Sequence, residues 1–266
     1  MTVAAPDLLH TIVAAATRIV EIRQEARPAR QLEASLVRAP AGRAFAAALR
    51  ATGGLKVIAE CKRRSPSKGT LREAYDPAEH ARAYADAGAA AISILTEPTF
   101  FDGAPEHLSA ARAAVHVPLL RKDFIVSEYQ LLEAAALGAD AVLLIVGALD
   151  GAALKNLVRA AEWLGLASLV EVHDLGELRR ALEAGATIVG VNSRNLRTLE
   201  VDHGIQEQLA GHLPAGVTTV AESGIRTHAD LVRLGALGYH AFLVGEQLMT
   251  TPDPGAALRE LLGEHP

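Results

Sequence analysis

Apolar runs and amphipathic segments alternate along most of the chain. The recurring unit is a helical pattern that ends at a glycine and leads into a nearly continuous apolar run, as at 83–95, 133–146, 181–192 and 231–245. A glycine at this point suits the left-handed conformation that closes many helices. Strands that are apolar throughout are typical of parallel sheets covered on both faces. The pattern therefore predicts repeated strand–helix units.

Eight such strands are predicted, at 57–62, 91–96, 118–123, 141–146, 167–172, 188–193, 218–222 and 241–245. Amphipathic segments between them predict helices, for example at 77–87, 127–137, 151–164 and 227–235. Eight units in about 210 residues indicate an α/β fold, a (β/α)8 TIM barrel. The alternative is an open doubly wound sheet, which usually carries a glycine-rich dinucleotide or phosphate-binding motif, and the sequence contains neither.

Residues 1–50 precede the first predicted strand and predict two or three helices, at about 6–24, 29–37 and 42–51. We expect 1–266 to form a single barrel domain with 1–50 as a helical extension. This extension could plug the bottom of the barrel, or it could form a lid that contributes to the rim of an active site.

Composition narrows the class of protein. Hydrophobic residues make up 50% and charged residues 21%, which is ordinary for a globular chain. The net charge of −5 argues against general binding to nucleic acid. The single cysteine, Cys61, excludes an intramolecular disulfide and fits a reducing compartment. No secretory signal is recognised and no apolar run is long enough to span a bilayer, so we expect a cytoplasmic protein without a membrane partner.

Several predicted strands end in charged or amide residues although their other positions are apolar. Positions i and i+2 of a strand face the same side, so Glu60 and Lys62 share a face while Cys61 points towards the helices. The corresponding residues of other strands are Lys122, Glu171, Asn192 with Arg194, and Glu222. Such charges indicate either a buried layer of ion pairs or a catalytic pocket. We favour the pocket, because barrel enzymes carry their chemistry at these strand ends.

A phosphate site is indicated at the last two strand ends. Ser223 and Gly224 follow the seventh strand and Gly245 follows the eighth, where barrels commonly present backbone N–H groups to phosphate. The basic loop at 62–69 adds cations and hydroxyls, unless it is simply a solvated loop. Metal and nucleophile motifs are weak: no pair of histidines has helical metal-ligand spacing, and His173 alone is more often structural.

Seven motifs follow the predicted strands in order: IAECKRRSPSKG (58–69), SILTEPTFFDG (93–103), LLRKDFIV (119–126), LVEVHD (169–174), GVNSRNLRT (190–198), VAESGI (220–225) and LVGEQLM (243–249). In these motifs the chain resembles the indole-3-glycerol phosphate synthase family of tryptophan biosynthesis. The resemblance implies a barrel whose N-terminal extension covers the mouth, and no metal or organic cofactor. It also implies conversion of 1-(o-carboxyphenylamino)-1-deoxyribulose 5-phosphate to indole-3-glycerol phosphate, CO2 and water.

The resemblance also implies roles for individual residues. Lys122 would be the general acid on the substrate carbonyl, and Glu171 its acid/base partner in dehydration. The other implied catalytic residues are Glu60, Lys62, Asn192 and Glu222. Those implied to bind substrate are Arg194, Ser65, Ser223, Gly224 and Gly245 on the anionic side, and Phe101, Phe124 and Leu143 around the aromatic ring. A complex with other enzymes of the tryptophan pathway is a further expectation.

Two positions vary from the family pattern. Arg121 precedes the motif lysine but should face away from the pocket by strand alternation, and Gln247 lies in the phosphate loop. Two rival interpretations are another phosphate-binding barrel, such as phosphoribosylanthranilate isomerase or thiamin phosphate synthase, and a non-catalytic barrel that serves as a binding subunit. The isomerase would need a cysteine at a strand end facing the pocket, and a non-catalytic barrel should have lost its acid/base residues.

Overall fold

The computed structural model describes residues 7–36 and 39–264. Within them, parallel strands close into a barrel formed by β1 (Val57–Cys61), β2 (Ala91–Leu95), β3 (Leu119–Lys122), β4 (Ala141–Ile145), β5 (Ala167–Val172), β6 (Ile188–Asn192), β7 (Thr218–Glu222) and β8 (Ala241–Val244). Each strand pairs with its neighbour in sequence, and β1 closes the ring against β8 with Val57 opposite Phe242. The predicted (β/α)8 TIM barrel is confirmed.

Helices cover the outside of the ring and its two ends. They are α1 (Leu8–Ala26), α2 (Ala29–Ala34), α3 (Gly42–Arg50), α4 (Pro77–Asp86), α5 (Pro98–Phe101), α6 (Pro105–Ala114), α7 (Glu128–Ala136), α8 (Gly151–Trp163), α9 (Leu175–Glu183), α10 (Ile205–Ala210), α11 (His228–Ala236), α12 (Glu246–Met249) and α13 (Pro254–Leu262). The helix ends predicted at residues 6 and 37 lie outside the described residues. A short hairpin, Arg64–Ser65 with Gly69–Thr70, forms in the loop after β1.

Strand alternation separates two buried layers. Val57, Ala59 and Cys61 belong to the layer between the strands and the outer helices, whereas Ile58 belongs to the core inside the barrel. Cys61 is fully buried in the outer layer, as strand alternation predicts. The same alternation turns every second residue at a strand end towards the barrel mouth.

The helices that precede β1 divide between the two ends of the barrel. Phe45 and Leu49 of α3 are fully buried in the barrel core. The backbone N–H of Gly42 donates to the carbonyl of Gly165, which precedes β5, at 3.0 Å. The helix α3 therefore occupies the amino-terminal end of the barrel, where a plug would lie. The expectation of one extension over the mouth does not describe this helix.

The helix α1 lies at the opposite end. It packs beside α5 and beside the 3-10 turn Val146–Ala148 that follows β4. Leu9 and Ile12 share an apolar cluster with Phe124, just past the end of β3. Apolar residues from α1 thus reach the carboxyl-terminal end of the barrel, and the function of a lid is a prediction for α1 alone. Across the described ranges, no helix combines the length and apolarity needed to cross a membrane.

Candidate active site

A lysine and two glutamates form the centre of the carboxyl-terminal end. Lys122 ends β3, and its Nζ donates to Oε2 of Glu171 from β5 at 3.0 Å. The same Nζ lies 3.6 Å from Oε2 of Glu222, the last residue of β7. The glutamates are buried, at 0% and 1% side-chain exposure, while Lys122 retains 15%. The lysine is therefore the member of this cluster that faces the mouth.

The charges of this cluster push its pKa values apart. Burial alone would lower the pKa of Lys122, but the carboxylates of Glu171, Glu222 and Glu60 raise it above its ordinary value. Burial would raise the pKa of Glu171, but the charges of Lys122 and His173 lower it to about 2. Burial and the neighbouring charge of Glu171 raise the pKa of Glu222 well above its usual range. These shifts favour a charged Lys122, an ionised Glu171 and the protonated form of Glu222.

Two carboxylate oxygens of this cluster lack a partner within the protein. Oε1 of Glu171 and Oε1 of Glu222 are both buried without a hydrogen-bond partner. Oδ1 of Asn192, at the end of β6, accepts from the backbone N–H of Arg194 at 2.9 Å, and the Asn192 side chain also bonds to Glu171. Unpaired buried oxygens are costly unless a ligand or water satisfies them. These oxygens are consistent with a site built to bind a polar substrate.

A second lysine–glutamate pair lies beside the first. Nζ of Lys62 donates to Oε1 of Glu60 at 2.6 Å. Gly245 leaves room for this pair, since a Cβ there would stand 2.4 Å from Oε1 of Glu60. Gly190 of β6 does the same for Glu222, because its Cβ would lie 2.0 Å from that Oε1. Both glycines are therefore required for carboxylates to fit at the mouth.

A polar cavity of about 280 Å³ opens at the ends of β7 and β8. Ser223 and Gly224 have consecutive left-handed backbone conformations, with φ of 65° and 73°. This geometry is strained for a serine, and such strain concentrates at functional sites. Successive N–H groups in turns of this kind form anion-binding concavities. Lys62, Arg194 and Arg226 supply the positive charge around the cavity.

Arg194 is held in place at this cavity. Its Nη1 donates to the carbonyl of Leu199 at 3.1 Å, and its Nη2 donates to Oε2 of Glu246 at 3.2 Å. Leu199 itself has a φ of 65°, so a second non-glycine residue accepts backbone strain near the site. An incoming anion would compete with Glu246 for Arg194.

A more apolar cavity of about 100 Å³ adjoins the polar one and contains Lys122, Glu171 and Glu222. Phe101 and Phe124 form one wall with ring centroids 6.2 Å apart, and Leu143 lines the cavity from β4. Glu97 positions Phe101, since its buried carboxylate accepts the N–H groups of the helix α5 from 2.7 to 3.2 Å. Flat apolar walls of this kind suit an aromatic ring.

The structure brings all the predicted site residues to these two cavities. The polar cavity is lined by Glu60, Lys62, Arg194, Ser223, Gly224 and Gly245. The apolar cavity is lined by Glu60, Lys62, Ser65, Phe101, Lys122, Phe124, Leu143, Glu171, Asn192, Arg194, Glu222 and Ser223. Their individual roles remain predictions. Among the described residues, no group of three or more His, Cys, Asp or Glu side chains could hold a metal ion.

Sequence reasoning missed several residues of the site. Arg226 and Glu246 line the polar cavity, and Leu196 and Leu199 line the apolar one. The first two directly follow the predicted phosphate loops, so their position in the sequence could have indicated them. The two leucines lie in an irregular loop, where no periodic pattern shows which side chains turn inward.

The family model and the relatives that match this chain carry the same family name. The family model for indole-3-glycerol phosphate synthase matches residues 9–261. The chain belongs to the indole-3-glycerol phosphate synthase family. It is 49% identical to the indole-3-glycerol phosphate synthase of Mycolicibacterium vanbaalenii, with 97% of this chain and 96% of the relative covered. The indole-3-glycerol phosphate synthase 1 of Streptomyces coelicolor is 54% identical, with 83% and 82% covered.

Solved structures share the fold with this family member at low identity. A thiamine phosphate pyrophosphorylase from Pyrococcus furiosus matches with a TM-score of 0.60 at 20% identity, covering 78% of this chain and 93% of that one. KGPDC from Streptococcus mutans matches with a TM-score of 0.62 at 13% identity, covering 80% and 97%. At such identities the likeness concerns the barrel alone.

Proposed function

We propose that this chain closes the indole ring of 1-(o-carboxyphenylamino)-1-deoxyribulose 5-phosphate, giving indole-3-glycerol phosphate, CO2 and water. The observation that carries the proposal is a charged lysine beside two glutamates, in an apolar cavity that adjoins a polar anion-binding one. The relatives named above support the same activity. The substrate has a matching layout, with a phosphate at one end, an aromatic ring at the other and the reacting carbonyl between them.

The two cavities support one orientation of the substrate. The phosphate binds at the Ser223–Gly224 turn and at Gly245, with Arg194 beside it. The anthranilate ring packs against the wall that Phe101 and Phe124 form. The ribulose chain then crosses the mouth over Lys122. Holding both ends of the substrate brings the ring carbon close to the carbonyl carbon that it must attack, which lowers the entropic part of the barrier.

Lys122 starts the reaction as the general acid. Its ammonium group protonates the carbonyl oxygen while the ring carbon attacks, and loss of CO2 then restores the aromatic ring. Glu171, ionised 3.0 Å away, stabilises the cationic intermediate. Glu222 holds its own proton and, with Asn192, bonds the hydroxyls of the ribulose chain. Lys62 neutralises the anionic substrate from the other side of the mouth.

Dehydration completes the product. The hydroxyl made from the carbonyl leaves as water once Glu171 has taken up a proton and delivered it to that oxygen. Lys122, neutral since the first step, removes the proton from the adjacent carbon and becomes charged again. General acids and bases of this kind contribute about 10²–10⁴-fold each.

The decisive experiment is turnover by the purified protein. Adding the anilino-ribulose phosphate should release CO2 and produce indole fluorescence. A barrel of another phosphate-binding class, or a non-catalytic binding subunit, would give neither signal, and that result would contradict the proposal. The partner supported so far is a small phosphorylated substrate. A cytoplasmic location, and a complex with other enzymes of the pathway, remain predictions.

A further inference from the structure

The proposed reaction takes up one proton from solution in every turnover. Protonation of the carbonyl oxygen uses one proton, departure of the hydroxyl as water uses a second, and loss of the C–H proton returns one. The uptake balances the departure of a carboxylate as neutral CO2. The following inference rests on this proposed function and concerns the source of that proton while the substrate covers the mouth.

The second carboxylate oxygen of Glu171, Oε1, lies beside a histidine. Nε2 of His173, just past the end of β5, lies 3.5 Å from Oε1 of Glu171. Neither atom has a hydrogen-bond partner, and both are buried. Glu171 therefore lies between two cationic groups, with Lys122 on Oε2 and His173 on Oε1.

Glu177 fixes the orientation of this histidine. Its Oε2 lies 3.0 Å from Nδ1 of His173 and also accepts the backbone N–H of His173 at 2.8 Å. Glu177 belongs to the first turn of α9, and its other oxygen fits against Gly147, where a Cβ would approach to 2.9 Å. With Nδ1–H held by Glu177, the proton that His173 can exchange is the one on Nε2, which faces Glu171.

The groups around His173 favour its charged form. Glu177 on α9 and Glu171 on β5 raise the pKa of His173 and outweigh the opposing effects of burial and of Lys122 on β3. These contacts therefore favour the protonated ring while Glu171 is ionised. Once Lys122 has given its proton to the substrate, Glu171 loses the stronger of its two counter-charges and its affinity for a proton rises.

We propose that His173 is a proton store for Glu171. It takes up a proton through the open mouth between turnovers and gives this proton to Glu171 while substrate covers the mouth. In the covered state the Nε2–H bond breaks and an O–H bond forms at Oε1 of Glu171. This proton leaves with the hydroxyl as water, and His173 becomes neutral with its remaining proton on Nδ1. After product release, a proton from water passes by way of Glu171 back to Nε2.

The test separates the two halves of the reaction in a single turnover with enzyme in excess. Ring closure and CO2 release use the proton of Lys122, whereas indole formation needs the stored one. In His173→Gln, CO2 release should keep the wild-type rate and indole fluorescence should lag by at least about tenfold, within the range for a lost general acid. His240→Gln is the matched control, since His240 bonds to Thr219 at the start of β7, and it should change neither rate.

The outcomes are distinct. Equal rates of CO2 and indole in His173→Gln, or equal slowing of both, would overturn the proton store. A wild-type protein that releases no CO2 from this substrate would overturn the proposed function instead.

A second variant guards against misfolding. Glu177→Gln keeps a hydrogen bond to His173 but removes the charge that raises its pKa, so kcat should begin to fall at a lower pH than in the wild type while KM stays unchanged. An unshifted pH profile of kcat would contradict the proposal.

Discussion

Two neighbouring residues of β3 carry buried charges with different consequences. Arg121 faces α7, where its guanidinium lies 2.9 Å from Asp123 and 2.6 Å from Glu133. Its remaining donors reach Thr96 at 3.1 Å and the carbonyl of Gln130 at 3.0 Å. None of the buried side-chain atoms of these residues lacks a partner. Lys122 faces the mouth, beside glutamate oxygens that have none.

The difference between these clusters separates a structural ion-pair layer from a catalytic site. Both consist of cations and carboxylates buried at the end of the same strand. In the Arg121 cluster, the guanidinium has four hydrogen-bond partners, and these contacts hold α7 to the barrel. Arg23 of α1 also belongs to this cluster, because it pairs with Glu133 at 3.1 Å. In the Lys122 cluster, Oε1 of Glu171 and Oε1 of Glu222 have no hydrogen-bond partner within the protein. A charged residue in a strand thus indicates function when its partners keep bonding capacity in reserve.

The largest effect is expected from a substitution that breaks the Lys122 cluster. Lys122→Met keeps the length of the side chain but removes the acid, so kcat should fall by about 10²–10⁴-fold. Steady-state assay of indole fluorescence measures this, with binding of a substrate analogue expected to survive. Lys155→Met, at an exposed position of α8, is the control and should leave kcat unchanged. Near-normal turnover by purified Lys122→Met would remove the residue from the acid role.

The next largest effect is expected from a change that breaks the Arg121 cluster. Here stability should change more than activity. Arg121→Met leaves Asp123 and Glu133 buried without their common partner, at a cost of about 3–5 kcal/mol of unfolding free energy. Tm should fall on the order of 10 °C, while the kcat of the folded fraction changes much less than in Lys122→Met. Arg18→Met removes an exposed pair with Glu21 at 2.7 Å and should cost well under about 1 kcal/mol. If Arg121→Met kept the wild-type Tm, the structural role would be wrong.

Much of this comparison could be predicted from the sequence. Strand alternation gave the opposite directions of Arg121 and Lys122, and the apolar runs gave strand bounds within one residue of those observed. Periodicity could not divide α1 and α3 between the two ends of the barrel, because both carry an apolar face and either end can bury one. The need for Gly190 depends on its pairing opposite Val220 and beside Glu222, which no single strand reveals. His173 looked like a lone histidine because its partners lie on either side of it at i−2 and i+4.

A smaller effect sharpens the charge assignment within the Lys122 cluster. The pKa of Glu222 in the folded protein lies above its ordinary value of 4.5. The protein therefore takes up a proton on folding at pH values between these two pKa values. The stability from this group is complete below about pH 4.5 and is lost as pH rises through its folded pKa. Glu222→Gln should therefore flatten the decline of Tm as pH rises above 4.5.

Glu171 gives the opposite dependence. Its stabilising effect is present above pH 4.5 and lost as pH falls towards about 2, so Glu171→Gln should flatten the acid side instead. Thermal unfolding followed over a pH series measures both variants, with Glu162→Gln on the exposed surface of α8 as the control. The same pH dependence in both variants would contradict the assignment of the proton to Glu222.

The smallest expected effect concerns α1, which joins the Arg121 cluster and the apolar cluster that includes Phe124. Arg23 pairs with Glu133 in the structural cluster, and Leu9 and Ile12 pack with Phe124 beside the apolar cavity. We propose that α1 is the cover of the mouth and excludes water from the ring-closure step. Since Phe45 and Leu49 of α3 fill the other end of the barrel, the truncation should stop before α3 and remove only residues 1–36.

The truncated protein should fold with a lower Tm, because the apolar face of α1 and the Arg23–Glu133 pair are lost together. KM should rise at least several-fold, since one side of the apolar cavity loses its support, while kcat falls less than in Lys122→Met. Arg23→Met in the full-length chain separates the two causes, because it removes the ion pair and leaves Leu9 and Ile12 in place. It should lower Tm slightly and leave KM unchanged. If the truncated protein kept the full-length KM in its folded fraction, α1 would act only as a structural brace.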